Sequence, residues 1–119
     1  MKVFQKCDEL INLISSKISY QKYFEECEDW KILYEYQSYK KFPEFYALIK
    51  SYHSDEFVIL DKITNKFKLI HFTYDYDPKT GEYDNKKYSI LQTFSTPEQV
   101  WQELIKPDIE EYYGIVIEE

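Results

Sequence analysis

The side chains best suited to nucleophilic or metal chemistry are two cysteines and two histidines: Cys7, Cys27, His53 and His71. A catalytic nucleophile needs a base within hydrogen-bond reach, and a zinc site needs ligands at paired spacings. These four residues are scattered singly along the chain, and His71 is expected to pack within a strand. The sequence therefore predicts no catalytic residue, no metal site and no disulfide framework. We expect a protein that is not an enzyme.

Loops that bind phosphate or calcium are not indicated either. A phosphate-binding loop needs clustered glycines, whereas the only two glycines, Gly81 and Gly114, fit a turn and a helix end. An EF-hand calcium loop needs an oxygen ligand, a glycine and a glutamate at its fifth, sixth and twelfth positions. Counted from Asp75, those positions hold Lys79, Thr80 and Lys86. Carboxylates are too common along the chain for any pair to indicate acid–base catalysis. No cofactor is expected.

Tyrosines and carboxylates are interleaved at two places in the second half of the chain. Tyrosine offers a large, stiff contact area with a polar tip, and it is enriched at binding hot spots. Carboxylates beside it attract a basic partner and speed its association. Some of these tyrosines could instead lie in the core or in a half-buried sheet. We predict a partner-binding surface formed by Tyr74, Asp75, Tyr76, Asp77, Tyr83, Asp84, Glu110, Glu111, Tyr112 and Tyr113.

The formal net charge of −7 is concentrated near the C-terminus. Residues 98–119 contain one lysine and seven acids, whereas segments 1–30, 31–73 and 74–97 carry −2, +2 and −1. Such a field repels nucleic acid and membrane surfaces and favours a basic protein partner. The alternative is a solvated helical face with an acidic tail that increases solubility. All 15 basic residues are lysines, and the absence of arginine argues against nucleotide chemistry and sequence-specific nucleic-acid binding.

The pattern of local signals predicts one α+β domain, residues 1–119. The segment 56–94 is typical of three strands in an antiparallel meander, with turns at Asn65 and Gly81, where a positive φ is favoured. Alternation along the second strand predicts that Ile70, Phe72, Tyr74 and Tyr76 share one face. In the same way, the third strand is predicted to place together Tyr88, Ile90, Gln92 and Phe94.

The segment before the meander is predicted to be helical. Apolar residues at spacings of three and four predict helices over residues 3–18 and from about Tyr20 to about Gln37. Residues 31–39 also alternate as a strand would, so the second half of that helix has a strand as its alternative. Pro43 is suited to the first turn of a third helix, which would bury Phe45, Leu48, Ile49 and Tyr52.

The segment after the meander contains the clearest helix start in the chain. Thr96-Pro97-Glu98-Gln99 fits a capping box with proline at the first helical position, and Pro107 is expected to end or kink that helix. Ile115-Val116-Ile117 is predicted to add an edge strand, so that the sheet would have three or four strands. No run approaches the ~18 apolar residues of a membrane span, and no signal peptide is indicated. With two cysteines only, a reducing cytoplasm is the expected location.

A small, acidic, cysteine-poor chain, rich in tyrosine and lysine, with helices before a meander and an acidic C-terminal end, resembles the immunity proteins of bacterial polymorphic-toxin and contact-dependent growth inhibition systems. The resemblance covers overall character without a diagnostic motif, so it carries over no functional position. It implies a protein that binds a cognate toxin domain, often a nuclease, and blocks its active site or an adjoining surface. It implies no finer detail of mechanism.

Two alternatives remain open at this point. The first is a phage- or plasmid-encoded inhibitor that presents carboxylates where a host nucleic-acid or defence enzyme expects phosphates. Such a mimic is expected to space its acids along an extended face, whereas most of the charge here lies near the C-terminus. The second is a small-molecule-binding domain with a pocket between meander and helices, for which the chain offers no candidate base, nucleophile or phosphate loop.

Overall fold

The computed structural model describes residues 4–20, 30–39, 42–51 and 55–119, and of residues 18–20, 34–39 and 83–86 the backbone alone. Helix α1 (Gln5–Tyr20) precedes five strands: β1 (Trp30–Tyr39), β2 (Phe42–Ser51), β3 (Glu56–Asp61), β4 (Phe67–Asp77) and β5 (Glu82–Phe94). Helix α2 (Pro97–Val100), a π-helical turn (Trp101–Ile105) and helix α3 (Lys106–Tyr113) follow. The strands pair in chain order as one antiparallel sheet. The α+β class is confirmed, with five strands instead of the predicted three or four.

One predicted helix, and the second half of another, are strands in the described part of the chain. Residues 30–37, the second half of the helix predicted from Tyr20 to Gln37, lie in β1, so the strand alternative for residues 31–39 is the correct one. The helix predicted at Pro43 is β2. Residues 21–29 and Tyr52 lie outside the described residues. The strand β2 has buried residues on both faces, and it contains a bulge at Leu48, which the register with β3 passes over. Its buried residues therefore recur at spacings that imitate a helix.

The helices pack on one face of the sheet. The predicted N-terminal helix is confirmed, and it buries a stripe that includes Cys7, Leu10 and Ile14. Together with the C-terminal helical segment it covers apolar residues of the strands, and full burial of each such side chain contributes ~1.5–3 kcal/mol. We call this cluster the helix-side core; its members include Leu48, Val58, Leu60, Phe67, Leu69, Phe94, Val100, Trp101, Ile105, Ile109 and Ile117.

A second cluster, the aromatic core, is made of strand residues alone in the described part of the chain: Phe42, Phe45, Ala47, Phe57, Ile59, Ile70 and Phe72. Phe45 pairs with Asp61 at the end of β3, whereas the N–H of Phe72 donates to the carbonyl of Asp55, just before its start. Asp61 and Asp55 are six residues apart in the chain, so in a flat sheet Phe45 and Phe72 would be separated by ~20 Å along the strand direction. The ring centroids of Phe45 and Phe72 are nevertheless 6.4 Å apart. The sheet is therefore strongly coiled, and diagonally opposed residues meet across its face.

Strand β5 explains a further error in the predicted faces. Its 13 residues pair with the 11 of β4, and the register passes over Lys86 and Leu91, which are bulges. Each extra residue interrupts the alternation and increases the local twist. As a result Tyr88 packs against the aromatic core, while Phe94 lies in the helix-side core. The prediction that Tyr88 and Phe94 share one face is wrong.

The predicted helix start at Thr96 is confirmed. The Thr96 hydroxyl accepts a hydrogen bond from the backbone N–H of Gln99, at 3.2 Å, and the Gln99 side chain accepts from the N–H of Thr96, also at 3.2 Å. This reciprocal pair satisfies donors that a helix start leaves open. Pro107 does not end the helical segment: it is the second residue of α3, directly after the π-helical turn. A wider turn accommodates a proline ring that would otherwise clash with the carbonyl four residues earlier.

We expect Thr96→Ala to lower the free energy of unfolding by ~1 kcal/mol, because the N–H of Gln99 loses its acceptor. Thr96→Ser is the matched control, since it keeps the hydroxyl and should lie close to the wild type. Urea unfolding followed by far-UV circular dichroism measures both. Equal losses in the two variants would contradict a capping role for the hydroxyl.

The C-terminal tail is not the predicted edge strand. Helix α3 ends at Gly114, whose φ of +63° is the left-handed conformation expected there. The N–H of Ile115 then donates to the Glu110 carbonyl, at 3.1 Å, and that of Ile117 to the Glu110 carboxylate, at 2.9 Å. Because α3 itself takes up these donors and Ile117 is buried in the helix-side core, the tail packs on the helices and does not extend the sheet.

Glu119 fixes the tail to both helical regions. Its carboxylate accepts hydrogen bonds from Lys17 at 2.8 Å, from Trp101 at 2.5 Å, from Gln102 at 2.7 Å and from Lys106 at 3.3 Å. The bond from Lys17 is the largest cause that lowers the pKa of Glu119, from 4.5 to about 2; burial opposes it, and the other three donors add to it. Since the folded state favours the carboxylate, this contribution to stability is present above about pH 4.5 and is lost as the pH falls toward 2.

We expect Glu119→Gln to destabilise the protein by ~1–2 kcal/mol at pH 7, a value kept small because solvent screens exposed ion pairs. The difference from the wild type should shrink as the pH falls from about 4.5 toward 2, where Glu119 itself becomes protonated. Glu118→Gln removes the same charge from the exposed neighbour and is the control. Denaturant unfolding of the three proteins between pH 7 and pH 3 measures this. A pH-independent difference would contradict the ion-pair origin.

Candidate protein-binding site

The hairpin of β4 and β5 extends beyond the rest of the sheet. Glu56 of β3 pairs with His71 of β4, and the carbonyl of Asp55 accepts from the N–H of Phe72 at 2.9 Å. Past this level, among the described residues, β4 pairs with β5 alone. We call residues 73–87 the ribbon. Among the described residues no third strand pairs with the ribbon, and exposed side chains occur on both of its faces.

The turn at the tip of the ribbon forms as the sequence predicts. The Asp77 side chain accepts from the N–H of Lys79, at 2.9 Å, and the Asp77 carbonyl accepts from the N–H of Gly81, at 2.8 Å. Gly81 has φ of +73°, and such a conformation strains any residue with a Cβ. The hydroxyl of Thr80 accepts from the N–H of Glu82, at 3.3 Å. These contacts fix the connection between the two strands.

Alternation along β4 gives the ribbon two chemically different faces. Tyr74 and Tyr76 continue the face of Ile70 and Phe72, and their side chains are 42% and 56% exposed. We call this the tyrosine face. Asp75 and Asp77 are exposed on the opposite face, which we call the acidic face. The register opposes Tyr83 to Tyr76, and the side chains of Tyr83 and Asp84 lie outside what the structure describes.

The register concentrates like charges in the ribbon. Asp75 is opposed to Asp84, and two positions further Asp77 is opposed to Glu82. Like charges at directly opposed positions destabilise an antiparallel pair. The ribbon thus combines two unfavourable pairs with a two-stranded structure that is only marginally stable alone.

The remaining predicted residues lie on α3. The carboxylate of Glu110 accepts a hydrogen bond from the N–H of Ile117 in the C-terminal tail. Tyr113 is partly buried and packs against the helix-side core. Glu111 is exposed, and Tyr112 is 67% exposed with its ring centroid 4.9 Å from that of Tyr113.

Helix α3 is anchored away from the strands that form the ribbon. Trp30 of β1 donates through Nε1 to the carboxylate of Asp108, at 2.9 Å, and β1 is the outer strand opposite to β5. The ten predicted residues therefore fall into two groups, the ribbon and α3. That either group binds a partner stays a prediction.

Two exposed apolar residues were missed in the sequence. Ile90 and Leu91 of β5 are each 52% exposed. Ile90 is opposed to Ile70, so it lies on the face that continues into the tyrosine face. The sequence prediction assumed regular alternation along this strand, and nothing in the residue types indicates that Leu91 is a bulge. The exposure of Ile90 and Leu91 was therefore not predicted. The apolar edge of β5 extends the tyrosine face toward the body of the sheet.

Two described groups with nucleophilic potential, Cys7 and Tyr88, have raised pKa values. Burial, followed by the charge of Asp8, raises the pKa of the Cys7 thiol to about 11, so the nucleophilic thiolate is scarce. Burial also raises the pKa of Tyr88 to about 12, and its hydroxyl donates to Glu44 at 2.8 Å. His71 is half-buried within β4, and Cys27 and His53 lie outside the described residues.

Metal-binding clusters and membrane-spanning helices do not occur in the described residues. Within residues 4–20, 30–39, 42–51 and 55–119, no group of three or more His, Cys, Asp or Glu side chains is arranged to hold a metal ion. In the same ranges, no helix is long and apolar enough to cross a membrane. The comparisons with protein-family models, with curated proteins and with solved structures gave no match.

Proposed function

We propose that this protein is an immunity protein, a small acidic inhibitor that neutralises a cognate basic toxin domain by direct binding. The observation that supports it best is the ribbon, which exposes Tyr74 and Tyr76 on one face and concentrates carboxylates on the other. It acts as a binding protein and carries out no catalysis.

The ribbon is poorly explained by stability alone. Opposed carboxylates repel each other, and partly exposed aromatic side chains gain less from burial than those of the core. Both features become favourable when a partner covers the ribbon. Basic side chains of the partner then neutralise the acids, and the tyrosines bury apolar area at a small loss of side-chain entropy.

The overall charge supports a basic partner. A net charge of −7 attracts a cationic protein over distances comparable to the Debye length, ~8–10 Å at physiological salt. Such steering raises association rates, which suits an inhibitor that must capture a toxin before it acts. A nuclease domain is a suitable target, because its nucleic-acid site is basic.

One observation favours the second candidate, an inhibitor of a host nucleic-acid or defence enzyme. Asp75 and Asp77 stand two positions apart on an extended strand, ~6.8 Å along its axis, each opposed to another acid. Carboxylates arrayed in this way along a ribbon can occupy a surface that normally holds phosphates. The two candidates share the binding surface and differ in the partner.

The test begins with capture of the partner. The tagged wild-type protein is immobilised, lysate of the source organism is passed over it at low salt, and the retained proteins are identified by mass spectrometry. We expect one basic protein in stoichiometric amount. Expressed alone in a bacterial host, that protein should stop growth, and co-expression of this chain should restore it.

Three other outcomes separate the candidates. A captured nucleic-acid enzyme that is harmless to the host, but is inhibited by this chain, would replace the toxin with the second candidate. A captured toxin that remains active in the complex would contradict inhibition. Retention of no protein partner would contradict the proposed function and favour a small-molecule-binding domain.

A further inference from the structure

We propose that the ribbon enters a cleft of the basic partner and is contacted on both faces, with the tyrosine face against an apolar wall and the acidic face against a basic wall. This inference rests on the proposed function and assigns the binding surface to the ribbon, to the exclusion of α3. It commits to one occupant, a protein cleft whose two walls differ in chemistry.

The tyrosine face supplies the apolar contact. Tyr74, Tyr76 and Ile90 lie on one face of the sheet and are 42%, 56% and 52% exposed. The same face continues inward as the aromatic core, which holds Phe72 at 2% exposure at the base of the ribbon. The exposed tyrosines therefore project from a rigid base. Stiff aromatic side chains on such a base are suited to a hot spot.

The acidic face supplies charge complementarity. Asp75 and Asp77 of β4 are opposed to Asp84 and Glu82 of β5, so one part of the ribbon holds four acids at two register levels, with the Tyr76–Tyr83 pair between them. Lys79 at the tip and Lys87 at the base are the described cations of the ribbon. A basic wall would relieve the repulsion that the free protein retains. The match predicts lysine or arginine in the partner, at a spacing of ~7 Å.

The inference of contact on both faces is based on the exposed part of the hairpin. Residues 73–77 of β4 extend past the level at which β3 begins, and exposed side chains occur on both of their faces. A partner that docked on one face only would leave the other in water.

Two of the four predicted residues on α3 make contacts within the protein. Glu110 holds the tail through the N–H of Ile117, and Tyr113 packs on the helix-side core. Glu111 and Tyr112 are the exposed pair on that helix. They therefore provide a control of similar chemistry, one tyrosine and one carboxylate, outside the ribbon.

The experiment uses the basic protein captured by the wild-type chain, purified, in surface plasmon resonance at low and high salt. We expect Asp75→Asn/Asp77→Asn to lower the association rate about 10-fold at low salt and much less at high salt. We expect Tyr74→Ser/Tyr76→Ser to raise the dissociation rate about 30-fold or more at either salt. The control Glu111→Gln/Tyr112→Ser should stay within about 2-fold of the wild type.

Thermal unfolding of the free variants separates binding from folding. The double change Asp75→Asn/Asp77→Asn removes like-charge repulsion, and the amide that replaces the Asp77 carboxylate keeps an oxygen for the N–H of Lys79. The melting temperature of this variant should therefore equal or exceed that of the wild type. A variant that is more stable and binds more weakly identifies acids that are kept for the partner. A lower melting temperature would assign them a structural role and overturn the proposal.

The remaining outcomes also decide the matter. A change in binding with only one of the two ribbon variants would mean docking on a single face, and it would overturn insertion. Normal binding by both ribbon variants with loss in the α3 variant would move the surface to α3, while the proposed function would stand. Failure of the wild-type chain to capture a basic protein would contradict the proposed function itself.

Discussion

Trp101→Ala is expected to lower the free energy of unfolding by ~3–5 kcal/mol, because it leaves a cavity in the helix-side core that the surrounding helices fill only in part. The Trp101 side chain is 1% exposed and lies in the π-helical turn, against the cluster that includes α1 and the strands. Its Nε1 also donates to Glu119, so the change releases the tail. Against a typical total of ~5–15 kcal/mol, such a loss brings the protein close to unfolding.

The control Trp101→Phe separates the two contributions. Phenylalanine keeps most of the apolar volume and removes the Nε1 donor, so it should cost about 1–2 kcal/mol for the hydrogen bond and the small void. Thermal and denaturant unfolding of both variants measure the difference, and Trp101→Ala should lower the melting temperature by ~10–20 °C. A loss under ~1 kcal/mol for Trp101→Ala would show that this tryptophan does not organise the core.

Local signals in the sequence predicted local structure well. The positive φ at Asn65, Gly81 and Gly114 and the capping box at Thr96 all formed as expected. Each of these features is decided by a few neighbouring residues, through steric limits on φ or through a hydrogen bond within one turn. The order of the three strands from Phe57 to Phe94 followed from the turns between them. The sequence alone is sufficient to predict structure that is determined by residues close together in the chain.

Whether Phe42–Ser51 forms a helix or a strand depends on contacts with residues that are distant in the sequence. Phe45 and Ala47 pack in the aromatic core, whereas Leu48 packs in the helix-side core on the opposite face. A strand covered on both faces loses the period of two, and a bulge at Leu48 adds a spacing that suits a helix. Helical periodicity was therefore a poor guide, because the tertiary structure sets the burial pattern.

The residue types of the candidate site could be predicted from the sequence, but its shape could not. Tyrosines alternating with carboxylates around Gly81 indicated a binding surface, which stays a prediction. That the hairpin forms a ribbon depends on the length of β3, six residues, compared with 11 and 13 in β4 and β5. No local signal gives that difference. The like-charge pairs, such as Asp75 with Asp84, become visible only when the register is known.

Phe72→Ala is the second large effect, with an expected loss of ~3–5 kcal/mol. Phe72 is 2% exposed, and its ring centroid lies 5.2 Å from that of Phe57 and 6.4 Å from that of Phe45. The contact with Phe45 exists only because the sheet is coiled. We therefore expect the aromatic core to stabilise the curvature of the sheet as well as to bury apolar area. Denaturant unfolding measures the loss, and a value under ~1 kcal/mol would contradict this role.

A double-mutant cycle tests the coiling itself. Phe45→Leu and Phe72→Leu are mild enough to keep the protein folded, and their combination should show a coupling energy of ~0.5–1.5 kcal/mol, as expected for aromatic rings in contact. Phe45→Leu combined with Ile105→Val, in the helix-side core on the opposite face, is the matched control and should be additive within ~0.5 kcal/mol. Additivity in the first pair would mean that the two rings do not meet in solution. Coupling in that pair alone would establish that the sheet closes on its own aromatic face, and that the base of the ribbon is held there.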